Sequence, residues 1–266
     1  VISSPSSSTT VPVTYQATDS INRVIHTTIT PTVGAPPIPT PTPDTSSAAW
    51  DVTQTKNVLT NDVPGSSSYP LIASTVRLCG PDNPGTITVD ESVAPNCNAV
   101  TLTIPNQGTY TVNPATNTIT FNPESSFTGT ARPVTYTISD ELNQVSSTTY
   151  TPTVIPPPTL VPDTSTGPWD TNQTRNVVTN NVNTSDSAAA GTTLADGSVR
   201  LCAPSDTAPN CTIDASGSVV IANQGTYTVD PTTGIVTFDP LPTFKGTATP
   251  VTYSVTDALG QKSSTT

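Results

Sequence analysis

The sequence predicts an all-β protein, tandem antiparallel β-sandwich repeats in an elongated array, on three observations. Val outnumbers Leu by 27 to 10 beside abundant Thr, a composition that suits pleated, half-buried strands. The apolar residues alternate with polar ones at a period of two, and no stretch sustains a period near 3.6. The chain also repeats itself, so the alternating segments belong to a unit that occurs more than once.

The repeat is dense. Pro43-Asp44-Thr45-Ser46 returns as Pro162-Asp163-Thr164-Ser165, and Trp50-Asp51 as Trp169-Asp170, both 119 residues on. Val76-Arg77-Leu78-Cys79 returns as Val199-Arg200-Leu201-Cys202. The string 106–112 returns at 223–229, Pro133-Val134-Thr135-Tyr136 at 250–253, and Asp140 as Asp257. A partial copy opens the chain: Pro12-Val13-Thr14-Tyr15, Asp19 and Pro31-Thr32-Val33 match 133–136, Asp140 and 152–154 at an offset of 121. The expected organisation is therefore 1–35 as the end of a preceding repeat, 36–155 as a complete repeat, and 156–266 as a second repeat without its last strand. The chain contains no Met, and Val1 is not a translation start, so it reads as a mature or excised piece of a longer chain.

Within one repeat the strands follow in order. Thr101-Leu102-Thr103-Ile104, Thr109-Tyr110-Thr111-Val112, Thr118-Ile119-Thr120-Phe121 and Val134-Thr135-Tyr136-Thr137-Ile138 each alternate. Turn residues separate them: Pro105-Asn106-Gln107-Gly108, 113–117 and Asn122-Pro123-Glu124. Ser187-Ala188-Ala189-Ala190 has the composition of a short helical turn. Several short strands in about 118 residues close most simply as an Ig-like antiparallel sandwich. The prolines of 36–43 and 156–162 favour extended, semi-rigid spacers between repeats, or in part a first edge strand of the next repeat.

Charge narrows the function. Eight Lys and Arg against nineteen Asp and Glu leave a formal charge of -11, which gives nucleic acid no electrostatic footprint and repels anionic lipid. No apolar run approaches the roughly 18 residues of a membrane span. Four Cys in so polar a chain point to an oxidising, extracellular setting.

One string carries a family resemblance. Ile104-Pro105-Asn106-Gln107-Gly108-Thr109-Tyr110, Ile119-Thr120-Phe121-Asn122-Pro123, Phe127-Thr128-Gly129-Thr130-Ala131, Val134-Thr135-Tyr136, Asp140 and Pro152-Thr153-Val154 succeed one another. The second copy matches through Gly225-Thr226-Tyr227, Phe238-Asp239-Pro240, Phe244-Lys245-Gly246-Thr247-Ala248 and Val251-Thr252-Tyr253. Together they resemble the CshA-type fibril repeat of bacterial surface proteins. That resemblance implies tandem β-domains in the stalk of an exported, usually wall-anchored fibril that presents an adhesive head.

The residues that could carry chemistry are few. Asp44 and Asp163, one per repeat, invite comparison with an aspartic protease dyad. Each comes after Pro, however, and Ser stands where such a loop needs Gly, so a turn or cap role is expected. The one histidine, His26, lies in the partial unit, which leaves a nucleophilic triad without its base. Lys56 suggests an intramolecular amide, but its repeat partner is Arg175, which cannot form one. Calcium is the stronger competitor: Asp44, Asp51 and Asp62 map to Asp163, Asp170 and Asn181, and Asp19, Asp140 and Asp257 recur in all three copies. No Asp-x-Asp-x-Asp run is present, so the expectation is no cofactor, with Asp140 as the turn residue of the last hairpin. Trp50 and Trp169 read as plugs at the end of a sandwich rather than sugar platforms. Tyr110, Phe121, Tyr136, Tyr227, Phe238 and Tyr253 read as core.

The cysteines say most. Cys79 with Cys97 and Cys202 with Cys211 each begin after Val-Arg-Leu and end after Pro-Asn, while the intervening segment shrinks from 17 residues to 8. Zinc would need two more ligands per repeat, and no His is near, so two disulfides inside the repeats are expected. The expected function is a non-enzymatic stalk at the bacterial cell surface, a stiff spacer that projects an adhesive domain. The alternative is a directly adhesive, calcium-dependent module that binds host protein or glycan. Its partners are neighbouring repeats of the same chain, with other fibril chains or host surface molecules as further candidates; nucleic acid and membrane insertion are not expected.

Overall fold

The computed structural model describes residues 11–32, 34–79, 97–179 and 186–266. The described residues form strands and turns and no helix; 187–190 hold a bridge and a turn instead of the helical turn. The partial unit is a hairpin, β1 (Val13–Thr18) antiparallel to β2 (Val24–Ile29), exposed along its length.

The first repeat contains β3 (Asp44–Ala49), β4 (Gln54–Asn57), β5 (Leu71–Leu78), β6 (Thr101–Ile104), β7 (Gly108–Asn113), β8 (Thr118–Pro123), β9 (Gly129–Thr130), β10 (Val134–Asp140) and β11 (Val145–Ile155). One sheet runs β3-β11-β10-β5 with β9 beside β11, and the other runs β4-β8-β7-β6. Alternation decides which side chains meet between them. Val76, Leu78, Tyr136, Ile138 and Tyr150 from the first sheet pack against Tyr110, Val112, Ile119 and Phe121 from the second, all buried. The Tyr110 and Phe121 rings lie 4.7 Å apart, and Tyr227 and Phe238 repeat the contact at 4.6 Å.

The second repeat contains β12 (Gln173–Asn176), β13 (Arg200–Leu201), β14 (Val219–Ile221), β15 (Gly225–Asp230), β16 (Ile235–Pro240), β17 (Tyr253–Thr256) and β18 (Lys262–Thr265). Its sheets are β12-β16-β15-β14 and β13-β17-β18, over a core of Val177, Val199, Leu201, Val229, Tyr253 and Val255 among others. The second repeat also holds a cleft of about 730 Å³, lined by Phe238, Phe244, Val251 and Tyr253 among others. Tyr227, expected in the core, is only partly buried.

The fold is the tandem Ig-like sandwich expected, with one departure from antiparallel pairing. β3 and β11 are parallel, Asp44 opposite Tyr150 and Ala49 opposite Ile155. The first and last strands of the repeat thus run in the same direction. The chain enters a repeat at one end and leaves at the other, about 20 Å away for six residues of strand.

Candidate functional site

The prolines between repeats are not a free spacer. Thr40 and Val63 exchange backbone hydrogen bonds of 2.9 and 3.2 Å, and the Thr42 N–H donates to Asp62 Oδ1 at 2.7 Å. Gln144 Nε2 donates to the Pro36 carbonyl and Ser146 Oγ to that of Pro39, at 3.1 and 2.7 Å. Proline lacks an N–H but keeps its acceptor, so a proline run can be held through its carbonyls. The second repeat copies this: Thr159 with Ser187, Val161 N–H to Asp186, Gln261 to the Pro156 carbonyl and Ser263 to that of Pro158.

Beneath each docked run lies a buried tyrosine. Tyr136 Oη stands 2.9 Å from Asp44 Oδ2, 3.0 Å from the Val58 carbonyl and 3.3 Å from Asp62 Oδ2. Tyr253 Oη stands 2.9 Å from Asp163 Oδ2, 2.8 Å from Asp186 Oδ2 and 3.3 Å from the carbonyls of Val161 and Val177. One phenolic hydrogen faces several acceptors, two of them carboxylates. Lys56 Nζ and Arg175 Nε, each 3.5 Å from Asp44 Oδ1 and Asp163 Oδ1, supply compensating charge. This cluster ties the docked linker, the segment that follows it (β3 in the first repeat, the stretch at Asp163 in the second) and β10 or β17 to one point at the entry end of each repeat.

Burial pushes the carboxyls of Asp44, Asp62 and Asp186 above their ordinary value of 3.8, against the tyrosine and backbone hydrogen bonds that favour ionisation. Each binds its proton more tightly folded than unfolded. The stability it carries is complete below the unfolded value and is lost as pH rises through the folded one. Half-buried Asp206 and Asp214 and exposed Asp230 are lowered by hydrogen bonds from Ala203, Ser216 and Thr233, and lose their contribution as pH falls. The melting temperature is expected to peak in mildly acid solution and decline towards neutrality. Asp62→Asn with Asp186→Asn should flatten that decline. Circular dichroism melts across the acid and neutral range check this, and a curve that climbs steadily to neutral pH would contradict it.

The exit end of the first repeat meets the entry end of the second directly. Ile155, the last residue of β11 and 4% exposed, faces Gly191, where any Cβ would stand 3.2 Å from the Ile155 Cδ1. At the end of β3, beside Ile155, the Trp50 N–H donates to Gln261 Oε1 at 2.8 Å. Gln261 sits in the β17–β18 turn, where Asp257 Oδ1 accepts the N–H groups of Leu259 and Gln261 at 3.0 and 2.8 Å. Asp140 caps the β10–β11 turn in the same way, and Asp19 the β1–β2 turn. All three copies thus use this Asp as the turn residue.

The family model of the surface adhesin CshA repetitive domain matches residues 36–154 and again residues 157–266. The chain belongs to the CshA repeat family. No curated protein matches it. Among solved structures it is similar to the N-terminal eight Ig domains of Down syndrome cell adhesion molecule isoform 1.30.30, at 10% identity over 97% of this chain and a TM-score of 0.32. It is also similar to Sidekick-1 immunoglobulin domains 1–4, at 11% identity over 98% of this chain and a TM-score of 0.30. The chain spans 31% and 57% of those two chains.

The string that carries the family resemblance is structural. Asn106 and Asn223 take left-handed φ of 62° and 61°, a conformation Asn tolerates. Gln107 Oε1 accepts the Arg132 N–H at 2.8 Å, and Gln224 Oε1 the Thr249 N–H at 2.7 Å, which staples the turn to the segment that leads into β10 or β17. A Cβ at Gly108 or Gly225 would collide with the Asn122 or Asp239 carbonyl, so only glycine fits. Tyr110 Oη then donates to the Arg132 carbonyl and Tyr227 Oη to that of Thr249.

Several expectations need revision. Trp50 is 44% exposed and Trp169 67%, so neither is a buried plug. Trp50 Nε1 donates to the Ser125 carbonyl while its backbone faces the next repeat. Asp44 and Asp163 are not brought together; each belongs to its own tyrosine cluster. Asn181 lies outside the described residues. Asp186 instead repeats the contacts of Asp62, because the preceding stretch of sequence is longer and a constant offset misplaces the equivalence. Cys79 stands at bonding distance from Cys97, and Cys202 from Cys211. The sequence pattern marks the tyrosine anchors only as core residues; a buried phenol needs a partner, and that requirement is the available signal.

Proposed function

We propose that these CshA repeats are a length of stalk, a stiff extracellular spacer that carries an adhesive domain away from a bacterial wall. The parallel pairing of β3 with β11 supports this most, because it puts entry and exit at opposite ends of the repeat. The joint adds stiffness. β11 ends at Ile155, and the Pro156 and Pro158 carbonyls are already held by the second repeat, so almost no chain is left free. A surface adhesin repeat is not expected to be catalytic, and the tyrosine clusters use their acidic groups for anchoring. In the competing reading, a directly adhesive module, the cleft of the second repeat would be the binding site. The first repeat speaks against that reading, since Tyr150 and Val154 are buried in its core.

Small-angle scattering on the monomer is expected to give a maximum dimension well above that of a 27.4 kDa globule. Repeats packed side by side would overturn the stalk reading. No cofactor is part of the proposal: Asp44, Asp62, Asp163 and Asp186 are engaged by tyrosine, backbone and cationic partners. A chelator should therefore leave the melting curve unchanged, whereas a loss of several degrees would make calcium a ligand of the folded state.

A further inference from the structure

The joint between the two repeats has two halves, and each half also occurs unmated in the other repeat. The exit half is the Trp50-Asp51 turn, with Asp51 at a φ of 60° so that the Trp50 N–H points outward to Gln261. In the second repeat Trp169-Asp170 forms the same turn, Asp170 at 55°, and Trp169 is 67% exposed. The entry half is the Asp-x-x-x-Gln corner. At the mated corner, Gln261 Nε2 donates to Asp257 Oδ2 at 2.9 Å while Gln261 Oε1 accepts the tryptophan N–H. At the unmated corner both corresponding oxygens, Asp140 Oδ2 and Gln144 Oε1, are buried with no hydrogen-bond partner. A buried acceptor without a donor is costly, by about 1–3 kcal/mol, so a native one needs a reason.

We propose that the Trp169 turn and the Asp140–Gln144 corner are the free halves of a repeating head-to-tail joint. The partner each accepts is another CshA repeat: the Trp turn docks on a repeat that presents Gln at the end of an Asp-x-x-x-Gln corner, and the corner takes the backbone N–H of a Trp turn. The interface is heterologous, and it propagates along an array instead of closing on itself. The corner residue also sets which repeats can mate this way. Arg23 stands in the partial copy where Gln144 and Gln261 stand, and its Nε is 2.7 Å from Asp19 Oδ2. Guanidinium has donors and no acceptor, so that corner cannot receive the tryptophan N–H.

The inference rests on the stalk reading for its biological sense but is tested separately from it. The intact chain, labelled with 15N, is followed from dilute to millimolar concentration by amide spectra. The Trp169 backbone amide and the Gln144 carboxamide are expected to shift together as copies associate end to end. Gln144→Leu should weaken that association about tenfold, the value of one such hydrogen bond, with melting temperature as the control for folding. Gln144→Glu keeps the acceptor and should retain the association; because it gives up the Nε2 hydrogen bond to the Pro36 carbonyl, amide exchange at Thr40 is the control that the linker stays docked. Shifts confined to 164–168, the segment that corresponds to β3, would show lateral strand pairing and overturn the proposal. So would spectra that do not change with concentration. A rod-shaped monomer with no end-to-end shift would sink this joint and leave the stalk standing.

Discussion

Tyr136→Phe is expected to lower the stability of the first repeat by about 3 kcal/mol, and Tyr253→Phe to do the same to the second. The ring is retained in the change, so the loss isolates the hydroxyl. Without it, Asp44 and Asp62 face each other and the Val58 carbonyl in a buried space, and the nearest compensating charge is Lys56 on one side. Removing one partner of a buried ionic cluster costs more than the cluster contributes, because the charge left behind stays desolvated. The carboxyl and the tyrosine are coupled, so Asp62→Asn added to Tyr136→Phe should restore part of the loss, as a double-mutant cycle would read. Because Asp62 also holds the Thr42 N–H, Tyr136→Phe should loosen the docked proline run and raise amide exchange at Thr40 and Thr42. A Tyr136→Phe protein that melts like the parent would mean that water reaches the carboxylates and that the cluster anchors nothing.

The fold is legible in the sequence where its signals are local. Thr101–Ile104, a strand on alternation alone, is β6 with the same bounds, and the alternating residues beyond it fall inside β7, β8 and β10. The parts that are not legible depend on partners distant in sequence. β3 reads Asp-Thr-Ser-Ser-Ala-Ala, with no large apolar residue, and becomes a strand because β11 offers it a parallel edge more than 100 residues later. The proline runs carry their docking in carbonyl oxygens, which every residue has and no pattern marks. Aromatic size argues for burial of the Trp residues, yet the joint uses the tryptophan backbone and the turn made by the next Asp, which leaves the rings exposed. Asp62 and Asp186 are equivalent in contacts but not in alignment, since extra residues in the sequence before Asp186 shift the numbering without moving the carboxyl.

Breaking either cysteine pair should cost the repeat that holds it about 3 kcal/mol, slightly less for the shorter separation. The pairs span 18 and 9 residues, and the entropy of closing a loop grows only with the logarithm of its length, so the two effects should be close. The residues just past each second cysteine explain why the link persists while the intervening length changes. Two positions beyond Cys97, Ala99 exchanges backbone hydrogen bonds with buried Leu78, and two positions beyond Cys211, Ile213 does the same with buried Leu201. On the other side, the Cys79 N–H donates to the Thr135 carbonyl and the Cys202 N–H to that of Thr252, each at 2.9 Å. Each bridge therefore fastens an added rung to the outer edge of β5 or β13, directly above a core leucine. A small Thr-rich core has little apolar area to spare, so a covalent tie at its edge weighs heavily. For a repeat of this size the expected drop in melting temperature is roughly 10 °C. Cys79→Ala with Cys97→Ala should lower the melting of the first repeat and leave the second in place, and the Cys202 and Cys211 pair should do the converse. Calorimetry on each double variant separates the outcomes. Two transitions that move together would show the repeats to unfold as one unit, and no movement in either would show that the rungs hold without the bridges.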